Sequence, residues 1–85
     1  MTFWVYVLVS QTTGRRYIGH TSDIERRLRE HNDKTTGKMR YTRKQTGPWS
    51  LVYEEKFTSR REAMQREQFL KSGQGREWLT HKLRW

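Results

Sequence analysis

From Phe3 to Ser10 the chain reads FWVYVLVS, apolar on both alternating faces and rich in β-branched and aromatic residues. A strand with no polar face is one covered on both sides, so this pattern predicts a central strand. Gln11-Thr12-Thr13-Gly14 is turn chemistry, and residues 15–20 (RRYIGH) make a second short strand, so the pair predicts a β-hairpin. Ser22-Asp23-Ile24-Glu25 then reads as a capping box, with Ser22 as N-cap and Glu25 reaching back, opening a helix to about Asn32. Residues 33–48 are polar, hold Gly37 and Gly47, and include five lysines and arginines, which predicts a basic loop. A third strand follows at 49–57 (WSLVYEEKF). A second capping box, Ser59 to Glu62, starts a helix to about Lys71. Ser72-Gly73-Gln74-Gly75 breaks it, and Arg76 to about Arg84 forms a short last helix anchored by Trp78. The order ββαβαα predicts an α/β fold of the α+β kind, a small, mainly antiparallel three-stranded sheet flanked by about three helices. No repeat, linker or low-complexity segment divides the chain, so 1–85 reads as one domain.

Composition narrows the partners. A chain of 85 residues buries only about 60–65% of its unfolded surface, so four tryptophans, four tyrosines and three phenylalanines must carry much of the core. The absence of cysteine excludes disulfides, a thiolate nucleophile and cysteine metal sites. No apolar run approaches the ~20 residues of a membrane span, and Met1-Thr2-Phe3 lacks the basic start of a signal peptide, so the expected location is the cytoplasm. Eighteen Lys and Arg against nine Asp and Glu give a net charge of +9. That balance suits a polyanion, most often nucleic acid. An anionic membrane fits less well, because the basic residues form no long amphipathic stripe. A merely solvated basic surface is the plainer alternative.

Helix geometry singles out two charged residues. In the first helix Ile24 and Leu28 mark the inward stripe, and Arg27 and His31 lie about 40° apart beside it. Arg27 is therefore either a snorkelling edge residue or a cation aimed at something anionic. In the second helix Ala63 and Leu70 define an apolar arc, and Glu67 projects between them, about 40° from Ala63. A carboxylate there is costly unless it is ion-paired, for example to Lys71 or an arginine of the first helix, or holds a metal. His20 ends the second strand and His31 the first helix, each a cap or a site residue; His81 reads as surface. No two histidines have zinc-ligand spacing on one helix, and neither a Walker loop nor a G-x-S-x-G elbow is present.

Taken in order, Val5-Tyr6-Val7, Tyr17-Ile18-Gly19, Arg27 within DIERRLREHN and Glu67 within SRREAMQREQFLK resemble the GIY-YIG nuclease family, over nearly the whole chain. The resemblance implies a metal-dependent endonuclease that hydrolyses DNA phosphodiester bonds, of the kind used in repair or recombination. By it, Glu67 holds one divalent cation, Mg²⁺ or Mn²⁺. Arg27 neutralises the scissile phosphate with His31 one turn on, Tyr6 activates or orients water, and Tyr17 shapes the site. The hairpin would then present both phenols on the sheet face that the two helices cover with Arg27 and Glu67. A phenol of pKa ~10 is a poor base, so Tyr6 calls for cationic neighbours such as Arg27, His31 and Arg15 or Arg16 that lower it. Two departures stand out: Val5 replaces the frequent glycine of the first motif, and His20 follows YIG where many members carry lysine, as a proton-transfer group or a strand cap. No counterpart of the late asparagine of some members follows Glu67. The basic loop cations Lys34, Lys38, Arg40, Arg43 and Lys44 are the candidate nucleic-acid contacts. Branched or flapped DNA, RNA and a partner protein all stay open, as does a non-cleaving nucleic-acid-binding module of the same fold.

Overall fold

A computed structural model describes residues 1–32 and 48–84. The stretch carrying Lys34, Lys38, Arg40, Arg43 and Lys44 lies outside the described residues. Strands β1 (Phe3–Ser10), β2 (Arg16–Thr21) and β3 (Trp49–Phe57) form one antiparallel sheet in the order β2-β1-β3. Helix α1 (Ile24–Asn32) follows β2, and α2 (Arg60–Lys71) and α3 (Gly73–Leu83) follow β3. The predicted α+β fold and its ββαβαα order are therefore what the chain adopts. β1 is central, as its two apolar faces require.

Alternation along β1 sorts the core into two layers. Phe3, Val5 and Val7 pack with Ala63 and Leu70 of α2 and Leu79 of α3. Tyr6 and Leu8 pack with Trp49, Tyr17, Leu51 and Leu28 of α1. So α1 lies on one face of the sheet and α2 with α3 on the other, which corrects the expectation that both site-bearing helices share a face. Tyr6 pairs in register with Gly19, and the β1–β3 register slips between Val7 and Leu8, a bulge that leaves Val52 as an extra residue.

Two helix starts differ from expectation. The α1 cap is Asp23, not Ser22: its carboxylate accepts from the Arg26 N–H at 3.1 Å, while the Thr21 hydroxyl accepts from the Asp23 N–H at 3.1 Å and holds the turn. Helix α3 begins at Gly73 rather than Arg76, because the Ser72 hydroxyl accepts from the Gly75 N–H at 3.1 Å and caps it. Gly75 is tolerated for a steric reason: a Cβ there would sit 1.9 Å from the Phe69 carbonyl oxygen, so only glycine lets α3 fold back onto α2. At α2 the predicted Ser59 cap stands, accepting from the Glu62 N–H at 3.2 Å.

The far end of α1 is tied down by Asn32. Its side-chain amide donates to the Trp49 carbonyl at 3.2 Å and its oxygen accepts from the Trp49 N–H at 2.8 Å, so it acts as a strand partner to the first residue of β3. On the other face Arg66 grips Glu55 through Nε at 2.7 Å and Nη2 at 3.1 Å, and its guanidinium lies over Phe69 and Trp78. The Tyr53 hydroxyl donates to the same carboxylate at 2.6 Å. Burial pushes the Tyr53 phenol up to about 12, and the Glu55 hydrogen bond adds to it. For Glu55, burial alone would raise the carboxyl, but the hydrogen bonds from Arg66 and Tyr53 outweigh it and hold it low. Among the described residues no helix is long and apolar enough to cross a membrane.

Because Arg66 joins β3, α2 and α3 at a half-buried carboxylate, Arg66→Ala is expected to destabilise the fold by about 1–3 kcal/mol. Urea denaturation monitored by tryptophan fluorescence measures it, and Arg66→Lys, which keeps the charge but loses the fork, should recover only part.

Candidate active site

Strand β2 lies at the edge of the sheet, and its alternation decides what meets there. Tyr17 and Gly19 share the α1 face with Tyr6, whereas Ile18 packs with the α2 layer and His20 bonds to Glu67 of α2. At this edge Tyr6, Tyr17, Gly19, His20, Arg27 and Glu67 line one cavity of about 260 Å³. Five of the six site residues singled out in the sequence therefore converge on it, drawn from both faces of the sheet. The sixth, His31, stands behind Tyr6: its Nε2 is 2.9 Å from the Tyr6 hydroxyl, and its ring lies 4.5 Å from that of Tyr17.

Gly19 lets this convergence happen. A Cβ on it would lie 2.7 Å from the Tyr6 hydroxyl oxygen, 2.9 Å from Tyr6 Cζ and 3.1 Å from Tyr17 Cε1. The Tyr6 phenol thus occupies the space that any side chain at 19 would need. Neither this constraint nor the Tyr6–His31 bond is visible in composition or helix periodicity. The signal that bears on it is the hairpin register, which sets Gly19 opposite Tyr6.

Glu67 meets the ion-pair reading of its position and also lines the cavity. Oε1 is 2.6 Å from His20 Nδ1 and Oε2 is 2.8 Å from Lys71 Nζ, so it is an ion-pair partner of Lys71 one turn on, and it also faces the cavity. Burial alone would raise its carboxyl, but the hydrogen bonds from Lys71 and His20 outweigh that and leave it lowered, so the group is ionised at neutral pH. Arg27 pairs with Glu30 of its own helix at 3.3 Å while lining the cavity, rather than with Glu67. His20 thus bonds a carboxylate that lines the cavity.

The titration of Tyr6 runs against expectation. Burial raises the phenol above the ordinary tyrosine value, Tyr17 adds to this, and the opposing pull of Arg27 does not overcome them. Its imidazole partner is no cation: burial, helped by Arg27, pushes His31 down to about 4. A neutral imidazole beside a neutral phenol is the pair at pH 7. The hydroxyl can then donate to an unprotonated Nε2, with the ring proton on Nδ1.

Residues 2–79 match the GIY-YIG catalytic domain. The chain belongs to the GIY-YIG family. Relatives of this GIY-YIG domain include a UPF0213 protein of Streptococcus agalactiae, 40% identical over 79 residues, which span 92% of this chain and 84% of that one. A UPF0213 protein of Natronomonas pharaonis is 45% identical over 69 residues, 81% of this chain and 76% of the relative. The solution NMR structure of a UPF0213 protein from Bacillus halodurans superposes with a TM-score of 0.55 at 35% identity, covering 95% of this chain and 84% of that one. Membership makes this a domain of a nuclease family, with nucleic acid as the general substrate class and a divalent metal as the usual cofactor. In this GIY-YIG domain the two signature tyrosines, the arginine and the glutamate line the same cavity.

Gly19→Ala is the substitution that tests the close approach. It should force the Tyr6 phenol away from His31 and destabilise the fold by about 1–3 kcal/mol through overpacking. Ring-nitrogen NMR shifts of His31 are expected to show the bond lost.

Proposed function

We propose that this chain is a divalent-metal-dependent endonuclease that hydrolyses phosphodiester bonds in DNA. The observation that carries the proposal is the single cavity in which an ionised carboxylate, a guanidinium and two phenols meet. Each type suits one demand of the reaction. The Arg27 fork matches phosphoryl oxygens and neutralises charge that develops in the transition state. Glu67 is the only carboxylate among the described residues lining the cavity, and among those residues no cluster of three metal-ligating groups exists. That donor set fits Mg²⁺ or Mn²⁺, a hard cation that uses one or two carboxylates and takes its remaining oxygens from water and substrate phosphate. Glu67 would hold the ion, which when bound polarises the phosphoryl oxygen and stabilises the leaving oxygen. His20 and Lys71 orient the carboxylate from its two sides.

The raised Tyr6 pKa argues for a relay in place of a phenolate base. Tyr6 accepts a proton from the attacking water as it passes its own to Nε2 of neutral His31, so the phenol never carries a full charge. Tyr17, packed against both rings, holds them in line. The cations Lys34, Lys38, Arg40, Arg43 and Lys44 would meet flanking phosphates, a contribution the salt dependence of binding reports.

A second reading has one observation in its favour. Both Glu67 oxygens already have partners in His20 and Lys71, which suits a non-cleaving nucleic-acid-binding module. Single-stranded, duplex, flapped and branched DNA, incubated with and without Mg²⁺ or Mn²⁺, separate the two. On whichever DNA is cut, Glu67→Gln is expected to lower the rate by at least about 10²-fold while DNA binding and the folded spectrum persist. Wild-type protein that binds every DNA and cuts none would favour the module.

Tyr6→Phe keeps the ring and removes the hydroxyl, so under the relay it should cost on the order of 10²-fold in rate. The wild-type rate should be flat through neutral pH and fall in acid as His31 takes a proton near pH 4. A rate that climbs steadily into alkali would instead mark Tyr6 as a phenolate base.

A further inference from the structure

A second cavity, of about 490 Å³, abuts the first and is lined by Arg16, Tyr17, Ile18, Lys71 and Arg76. The two share a wall. Tyr17 lines both, and Lys71, which lines the larger, is ion-paired to Glu67, which lines the smaller. Three of its five lining residues are cations from three different elements, β2, α2 and α3, and none is a carboxylate. Its remaining walls are a phenol ring and an aliphatic side chain. A cationic rim over an aromatic and aliphatic floor is the arrangement that tracks a nucleic-acid backbone and lets a sugar or base rest between.

We infer that this groove holds the nucleic-acid strand on one side of the scissile phosphate, with Arg16 and Arg76 contacting the flanking phosphodiesters and Tyr17 dividing the cleaved position from its neighbour. The inference rests on the reading of the smaller cavity as the phosphodiester site, and it adds a place for the strand among the described residues, apart from the basic stretch at 33–47. Arg76 suits the role because it is exposed and sits in the first turn of α3, at the corner that Gly75 holds against α2. Lys71 stands at the seam, so its charge serves Glu67 and the groove together.

The experiment is carried out on the full chain with Arg76→Gln and with Arg16→Gln/Arg76→Gln, Lys71 being left intact because it touches Glu67. A short DNA duplex is the probe, and binding is measured without metal across a salt series. Each lost phosphate contact should lower the slope of log affinity against log salt by about 0.7–0.9, so the double variant should lose about one to two. On a DNA that is cut, KM should rise several-fold in both variants while kcat changes less than twofold, because the groove binds and does not react. A DNA shortened on the groove side should bind wild type as weakly as the full-length DNA binds the double variant, and the two losses should not add. Equal salt slopes and equal KM in wild type and the folded Arg76→Gln variant would overturn the inference. DNA that is bound but never cut would sink the endonuclease reading, and the salt slope would still decide whether the groove carries the strand.

Discussion

Because β1 lies at the centre of the sheet and is apolar on both sides, it must be covered twice, and most of the architecture follows from that demand. Val5 and Val7 are buried under α2 and α3, and Tyr6 and Leu8 under the α1 layer. Two helices bearing complementary chemistry are thereby held on opposite faces. They can cooperate only where the sheet ends, and β2 is an edge strand. The cavity forms there, beside a glycine, where a strand without a side chain leaves room for a phenol from the neighbouring strand. The cavity is a consequence of covering β1 twice and leaving β2 without a side chain at Gly19.

Electrostatics at this edge divide the labour. Glu67 stays ionised because two cation-capable side chains hold it, although burial pushes the other way. Tyr6 and His31 stay neutral because burial dominates, with Arg27 reinforcing the effect on the imidazole. An ionised carboxylate and a neutral phenol thus line one small cavity, with a neutral imidazole behind the phenol. The Arg66–Glu55–Tyr53 cluster, by contrast, braces β3 against α2 and α3 and has no member in that cavity.

Much of this was legible in the sequence. The two-sided apolar pattern of 3–10 placed β1 at the centre, turn and cap residues set the element order, and helix periodicity isolated Glu67 within an apolar arc and set Arg27 beside the inward stripe of α1. The ordered set of Tyr6, Tyr17, Arg27 and Glu67 pointed to the GIY-YIG family. Such features are local, since a strand, a helix face or a cap is specified by residues a few positions apart. Where two adjacent residues could serve as cap, Ser22 and Asp23, local pattern alone missed by one, because the Thr21 hydroxyl decides between them.

Other properties depend on residues far apart in the chain and were decided only when it folded. Whether Tyr6 is acidic or basic rests on its burial, on Tyr17 and on Arg27, and the helix period that set Arg27 and His31 side by side said nothing of the dry layer that raises the phenol and neutralises the imidazole. The meeting of His20 with Glu67, 47 positions apart, depends on α2 packing against the β2 edge. The reach of Arg16, Lys71 and Arg76 around one groove depends on the close turn at Gly75. The sequence determined which side chains the site has available, because residue type and period suffice for that. Their charges and contacts were left to tertiary structure, because desolvation and distance exist only once separate elements pack together.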